Sequence, residues 1–441
     1  METLFYQQDV SRNLDTANYR HPHFMREEIE KRFSDVLVLC IPVFKFVEIE
    51  TIGRLFATDI IIMAIFPLML LSRYKRLNNR FAIIIIIMGL LWLFNQIITD
   101  LIRDIPSIDY YRGWAKICVT LVHFTTLFLL IYDKKRCILL FALGLSIGNL
   151  LEYYLNPGIY ALDYPWKFGI GKSVTWIVVV AASLLFKRSF ILSIILLGFA
   201  FILNLYMDFR SLSGICFIST IYLSLQWYWT NKNKNKINLS LRQLVTIGIL
   251  LTFASYIFLE GYEHLAKQGF LGETAQKKYK WQSSGDFGVL IGGRSEILVS
   301  SRAIMNSPII GYGSWAKDLN FAELMNYLMC DLGYIPETGS ESELIPTHSY
   351  IFGAWVEAGI CGALFWGFVM ALIARVLTMM HNTRKDLSVL VTFFAFLLLW
   401  DIFFSPFGSD QRFIAPYYVI VIISFMNVKP KKFLRNQQNH R

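Results

Sequence analysis

The chain has little material for disulfide chemistry. Its 441 residues contain six cysteines. Cys40, Cys118, Cys137, Cys216 and Cys361 fall in or beside apolar blocks, and Cys330 stands in a polar stretch without a nearby partner, so no disulfide framework is expected. No pair of cysteines or histidines has the spacing of a zinc site. The first thirty or so residues, with His21 and His23, are polar and charged, which reads as a cytoplasmic lead-in with no cleavable leader. Internal repeats are also missing, which weighs against the commonest transporter architectures.

What is present in quantity is apolar sequence, 55% of the chain. It comes in blocks close to the ~20 residues that cross a ~30 Å hydrocarbon core. Spans are expected at 33–47, 55–71, 81–98, 114–132, 138–154, 170–186, 190–207, 212–229, 244–259, 349–373, 387–404 and 413–428. The first is the weakest, being short and carrying Lys45. The expected fold is therefore all-α, a polytopic transmembrane protein of about 12 helices. It divides into a cytoplasmic N-terminal segment (1–32), helices one to nine (33–260), a long loop (261–347), helices ten to twelve (348–428) and a basic tail (429–441).

Basic residues give the orientation. Arg73, Lys75, Arg76 and Arg80, then Lys134, Lys135 and Arg136, then Lys232, Lys234, Lys236 and Arg242, mark alternate loops, and the tail after 428 adds Lys429, Lys431, Lys432, Arg435 and Arg441. The intervening loops 48–54, 99–112 and 155–168 are poorer in Lys and Arg. The positive-inside rule puts both termini in the cytoplasm and the long loop outside. The net charge of +10 is mostly this orientation signal, which argues against nucleic acid as a partner.

Inside the long loop, Ile297, Leu298, Ile304 and Met305 recur at helical spacing, Pro308 ends that helix, and Gly311-Tyr-Gly313 reads as a turn. Residues 321–330 form a second amphipathic candidate. At the end of the loop, His348 stands where polar sequence enters an apolar helix. An imidazole there suits a general base acting on a hydroxyl at a wet membrane surface; the other reading is an interfacial residue without chemistry. Glu357, nine residues on, falls near the opposite helix face. An ionisable group inside a span faces protein or a water-filled cavity, so Glu357 is either a structural partner of a neighbouring helix or catalytic.

Three arginines stand at comparable boundaries. Arg294 follows two glycines at the start of the loop helix, where a guanidinium and a helix N-terminus favour phosphate; Arg302, further along that helix, reads as a surface charge. Arg210 interrupts two apolar blocks and suits a diphosphate, or else pairs with Asp208. Arg412, in Ser405-Pro-Phe-Gly-Ser-Asp-Gln-Arg412, is a third candidate. Asp401, Lys172, Lys116 and His123, in or beside spans, receive no role. No Asp-x-Asp pair occupies the first outer loop, so metal-assisted sugar transfer of the usual kind has no visible ligand set.

Gly293-Arg294, then Asn306-Ser-Pro-Ile-Ile-Gly-Tyr-Gly313, then Thr347-His348-Ser349 with Glu357-Ala-Gly359, together with Phe209-Arg210-Ser211 earlier, resemble the O-antigen ligase and polymerase superfamily. Ser349 departs from the Asn that many members have there. The resemblance implies a bacterial inner-membrane glycosyltransferase related to the lipid-dependent C-type fold, with a long helical periplasmic loop before the third-last helix. It implies a glycan donor on undecaprenyl diphosphate, Arg210 and Arg294 on that diphosphate, His348 activating the acceptor hydroxyl for inverting attack, and no metal or other cofactor. The partners are then the lipid-linked oligosaccharide, the bilayer and, for a polymerase, a chain-length regulator. Polymerase and ligase differ only in the acceptor. A flippase for the same lipids is the rival of a different class.

Overall fold

The computed structural model describes residues 32, 34–50, 53–232, 257, 260–270, 272, 276, 279, 295–331, 343–380 and 387–426. Its described residues form a helical protein with one small hairpin. A helix over 34–43 (α1) leads through the hairpin β1 (Glu48–Glu50) and β2 (Arg54–Phe56) into α2 (Ala57–Arg73). There follow α3 (Arg80–Ile102), α4 (Ser107–Ile131), α5 (Lys135–Leu155), α6 (Gly171–Leu185), α7 (Phe190–Tyr206) and α8 (Arg210–Lys232). After a short helical stretch over 260–267 come the loop helices α9 (Glu296–Asn306) and α10 (Leu319–Asp331). The series closes with α11 (Tyr350–Met380), α12 (Ser388–Phe404) and α13 (Gln411–Met426).

Local chemistry sets several of these starts. Asn79 caps α3, its side-chain oxygen accepting from the amides of Phe81 (3.0 Å) and Ala82 (3.3 Å). Ser189 caps α7 through the Leu192 amide. α9 stops at Asn306, two residues before Pro308, as the sequence predicts.

Among the described residues, six helices are long and apolar enough to cross a membrane: Ala57–Leu77, Arg80–Ile102, Ser107–Ile131, Lys135–Leu155, Trp166–Leu185 and Tyr350–Met380. Phe190–Tyr206, Ser388–Phe404 and Gln411–Met426 are shorter apolar helices. The expected span at 33–47 is a shorter helix that ends before Lys45. The span expected at 244–259 lies, apart from residue 257, outside the described residues, as do the N-terminal segment to 31 and the basic tail.

Burial sorts the helices. α13 is buried from Phe413 to Met426 and α12 from Ser388 to Leu398, so these two form the centre. α3 instead exposes Ile83, Ile87, Leu90, Leu91 and Phe94, and α7 exposes Ile191, Ile195, Phe199 and Ile202. Both sets are single stripes at helical spacing, the surface a hydrocarbon phase would cover. A membrane-embedded helical protein accounts for this pattern.

The basic segments at 73–80 and 134–136 gather at one end of the bundle. Arg73 reaches the Leu129 carbonyl, Asn79 donates to the Tyr132 hydroxyl (2.7 Å), and Arg136 pairs with Asp35 (2.9 Å). The hairpin, the 307–318 loop and the 405–410 loop lie at the other end.

The expected single span at 349–373 is two half-helices. Ser349 caps the first, its Oγ accepting from the Phe352 amide (3.2 Å) while donating to the Ile402 carbonyl (2.6 Å). At Ala358 and Gly359 the backbone leaves helical geometry, with Gly359 at φ +60° and ψ −153°. The freed backbone groups are taken by the loop after α9: Tyr312 N donates to Val356 O (2.7 Å), Gly313 N to Glu357 O (2.9 Å), and Ile360 N to Ile309 O (3.2 Å). Asn95 of α3 donates to Ala358 O, and Thr99 to Ile310 O (2.6 Å). A broken helix at membrane depth persists only when its polar groups are satisfied in this way.

A Cβ on Gly359 would overlap the Ile309 carbonyl, and one on Gly311 (φ +88°) would lie 2.7–2.8 Å from Gly359 N and the carbonyls of Val356 and Glu357. Gly359→Ala is therefore expected to destabilise by roughly 2–4 kcal/mol, combining left-handed strain with overpacking. Gly367→Ala, where nothing lies within 4 Å of the added carbon, is the control. Thermal unfolding in detergent checks this; equal melting of the two variants would contradict it.

Candidate functional site

The break holds a loop against the bundle, and a cavity opens beneath that loop. The turn at 313–315 is pinned by the buried carboxylate of Asp100. Asp100 accepts from Ser314 N (2.6 Å), Ser314 Oγ (2.7 Å), Trp114 Nε1 (2.7 Å) and Gln96 Nε2 (3.3 Å). Gly113 lets α4 approach this turn, because a Cβ there would run into the Ser314 side chain. Beyond the turn, Ile345 N donates to Ala316 O (2.9 Å), and Lys317 pairs with Asp109 of α4 (2.7 Å). These contacts fix 315–316, 344–347 and the Ala322–Asn326 face of α10 as a roof.

The cavity encloses about 1310 Å³, larger than a typical small-molecule pocket. Its floor is the first half of α11, from Ser349 to Glu357. One side is Tyr111, Arg112, Ala115 and Lys116 of α4, and the other is Gly53–Leu55 with 406–409 and Arg412. Trp92 and Phe407 give it apolar wall. The wall carries four cationic side chains, Arg54, Arg112, Lys116 and Arg412, and one carboxylate, Glu357.

These charges are held differently. Arg412 is fixed from three sides, donating to Ser409 O (3.0 Å), Arg54 O (2.6 Å) and the fully buried Asp59 carboxylate (2.8 Å). Asp59 in turn lies 3.4 Å from Nε2 of His123, whose Nδ1 is 3.1 Å from Arg412 O. Arg54 pairs with Glu48. Arg112 lies over the Trp315 ring at 5.8 Å. Lys116 and Glu357 bond to each other, with side chains 25% and 18% exposed.

Behind Arg412, Lys45 binds Asn149 (2.7 Å), Glu152 (2.8 Å) and Asp410 (2.8 Å), tying the 405–410 loop to the hairpin side. Burial alone would raise the Asp410 carboxyl, but the Lys45 ammonium overrides it and holds the pKa below the usual range. Asp410 is thus ionised at neutral pH, and its stabilising share is lost only as pH falls through that lowered value.

Of the residues singled out in the sequence, Glu357 and Arg412 are on the cavity wall. His348 is half-buried; its neighbours Thr347 and Ser349 line the cavity, and His348 is not among the lining residues. Arg210 is not on this wall either. It lies 3.6 Å from Asp208 and 4.8 Å from the centre of the Tyr262 ring. Arg294 lies outside the described residues. Sequence reasoning passed over Arg112 and gave Lys116 no role, although their i, i+4 spacing puts both on one helix face.

The chain matches no family model, no curated protein and no solved structure. The resemblance to the O-antigen ligase and polymerase superfamily therefore stands on its motifs alone.

Arg412→Ala leaves Asp59 buried without its guanidinium and is expected to cost roughly 3–5 kcal/mol. Arg112→Ala, beside the open cavity, is expected to cost less than about 1 kcal/mol. Melting curves of the two variants check this ordering, and a reversed order would contradict it.

Proposed function

We propose that the protein is a membrane glycosyltransferase, a polymerase of O-antigen or another surface polysaccharide, that takes its glycan from undecaprenyl diphosphate. The observation that carries this reading is the cavity at the non-basic end of the bundle, where cations and a carboxylate stand on facing walls. A diphosphate leaving group needs positive charge, and Arg112 and Lys116 supply it without calling for a metal. A sugar hydroxyl is a weak acid and needs a base, which Glu357 on the wall or His348 beside it provides.

In the proposed reaction the acceptor hydroxyl oxygen attacks the anomeric carbon of the donor glycan. The bond from that carbon to the diphosphate oxygen breaks with inversion. The hydroxyl proton passes to the base, and undecaprenyl diphosphate leaves with the bonding electron pair. The volume of the cavity suits a sugar headgroup, and Phe407 and Trp315 offer apolar faces for sugar rings. With the basic loops in the cytoplasm, the cavity faces the periplasm of a bacterial inner membrane, where lipid-linked repeat units are joined.

Purified protein in detergent, given a lipid-diphosphate-linked repeat unit, tests the reading. The expected product is a ladder of longer lipid-linked glycans. Arg112→Ala is expected to lose at least about tenfold in rate, consistent with the loss of one charged contact. Arg294→Ala is expected to abolish the ladder on the strength of the resemblance, and Arg210→Ala to retain it, being off the wall. Transfer only when a lipid A core acceptor is added would make the enzyme a ligase. Folded protein inactive with both acceptors would overturn the glycosyltransferase reading and favour a carrier of the same lipids.

A further inference from the structure

We infer that Lys116 and Glu357 form an exchangeable ion pair, in which a diphosphate entering the cavity draws Lys116 away from Glu357 and leaves that carboxylate free to accept a hydroxyl. That the diphosphate is lipid-linked rests on the function proposed above; the exchange itself needs only the anion.

The pair differs from Lys45 and Arg412 in how it is held. Lys45 has three acceptors around its ammonium, and Arg412 is fixed by two carbonyls and a buried carboxylate. Among the described residues, the side chains of Lys116 and Glu357 have one polar partner, each other. Both line the cavity and both are partly exposed. A single contact between two flexible side chains open to water is weak, because solvent screens it and each chain loses rotamer freedom to make it. A lysine ammonium is also a point charge on a four-carbon stem, able to turn to a new partner without moving the helix.

The new partner has a place to sit. Arg112 is one turn from Lys116, about 6 Å along α4, and lines the same wall. Two cations at that spacing match adjacent phosphates. The anion is drawn to the Arg112 side for a second reason. Arg112 stands near the N-terminus of α4, the positive end of its dipole, whereas Glu357 ends the first half of α11, a negative end. Lys116 therefore turns from Glu357 toward Arg112 when the anion arrives. Glu357 does not follow, since its backbone is fixed to the 309–313 loop and its carboxylate is repelled by the anion. The result is a carboxylate released from the neighbouring ammonium charge only once the donor is in place.

Binding of inorganic diphosphate and of farnesyl diphosphate to the purified full chain, measured calorimetrically at fixed ionic strength, tests the exchange. Lys116→Gln is expected to weaken both probes about tenfold or more, the usual loss for one charge-assisted contact. Glu357→Gln is expected to tighten both several-fold, because the competing carboxylate is gone, and Glu357→Ala has to give the same gain. Lys116→Gln combined with Glu357→Gln has to bind like Lys116→Gln alone. No gain from either Glu357 variant, or no loss from Lys116→Gln, overturns the exchange. Melting curves without ligand establish that each variant is folded. The ratio between the two probes shows whether a prenyl chain contributes, which separates a lipid-linked from a free diphosphate. Because no sugar is transferred in this experiment, failure of the exchange and failure of the glycosyltransferase reading are read separately.

Discussion

A helix cannot be interrupted among apolar side chains unless something else bonds the exposed amides and carbonyls. The break of α11 at Ala358–Gly359 meets that demand with backbone from the 309–313 loop and with Asn95 of α3, while Thr99 holds the loop itself through the Ile310 carbonyl. The rest of the site depends on this exchange of partners. It clamps the loop onto the bundle, and the clamped loop roofs the cavity. It also fixes the end of the first half-helix, so that Glu357 is presented on the wall. Two glycines make the fit possible: at Gly359 and Gly311 the chains approach so closely, at left-handed φ, that a Cβ would collide with backbone.

The charges around the cavity serve two purposes. Lys45 with Glu152 and Asp410, Arg412 with Asp59, and Asp100 with its four donors are multiply bonded. Each joins segments distant in sequence, and removing one partner would strand the other. They hold the framework. Lys116, Glu357 and Arg112 are set into the open wall, where water and a ligand can compete for them. In the proposed reaction, chemistry belongs to this second group, because a charge already satisfied from three sides has little left to offer a substrate.

The helices were largely legible in the sequence because apolar block length measures a membrane crossing directly. The loop helix before Pro308, the turn at Gly311 to Gly313 and the boundary at His348-Ser349 were legible from punctuation residues. Less was visible of the site. Nothing local marks Gly359 as a break, since the residues on both sides are ordinary helix formers and the loop that replaces the helical bonds is some fifty residues earlier. The hairpin between α1 and α2 is three residues a side, too short for alternation to register. Arg210 and Arg412 looked alike as boundary arginines, yet Arg412 is on the wall and fixed by a buried Asp59 on another helix, while Arg210 lies beside Asp208 and Tyr262. Lys116 looked like a stray charge in a span; its partner is 241 positions away. Pairings between helices are set by packing, which a single sequence does not display.

The most direct test of a diphosphate-binding cavity between α4 and α11 is an experimental structure of the protein with the lipid-diphosphate-linked repeat unit bound. The two phosphates are expected within hydrogen-bonding reach of Arg112 and Lys116, with the Lys116–Glu357 contact opened and the first sugar under Trp315. Phosphates bound at Arg210, or a cavity left without ligand while the lipid sits elsewhere on the protein, would contradict it.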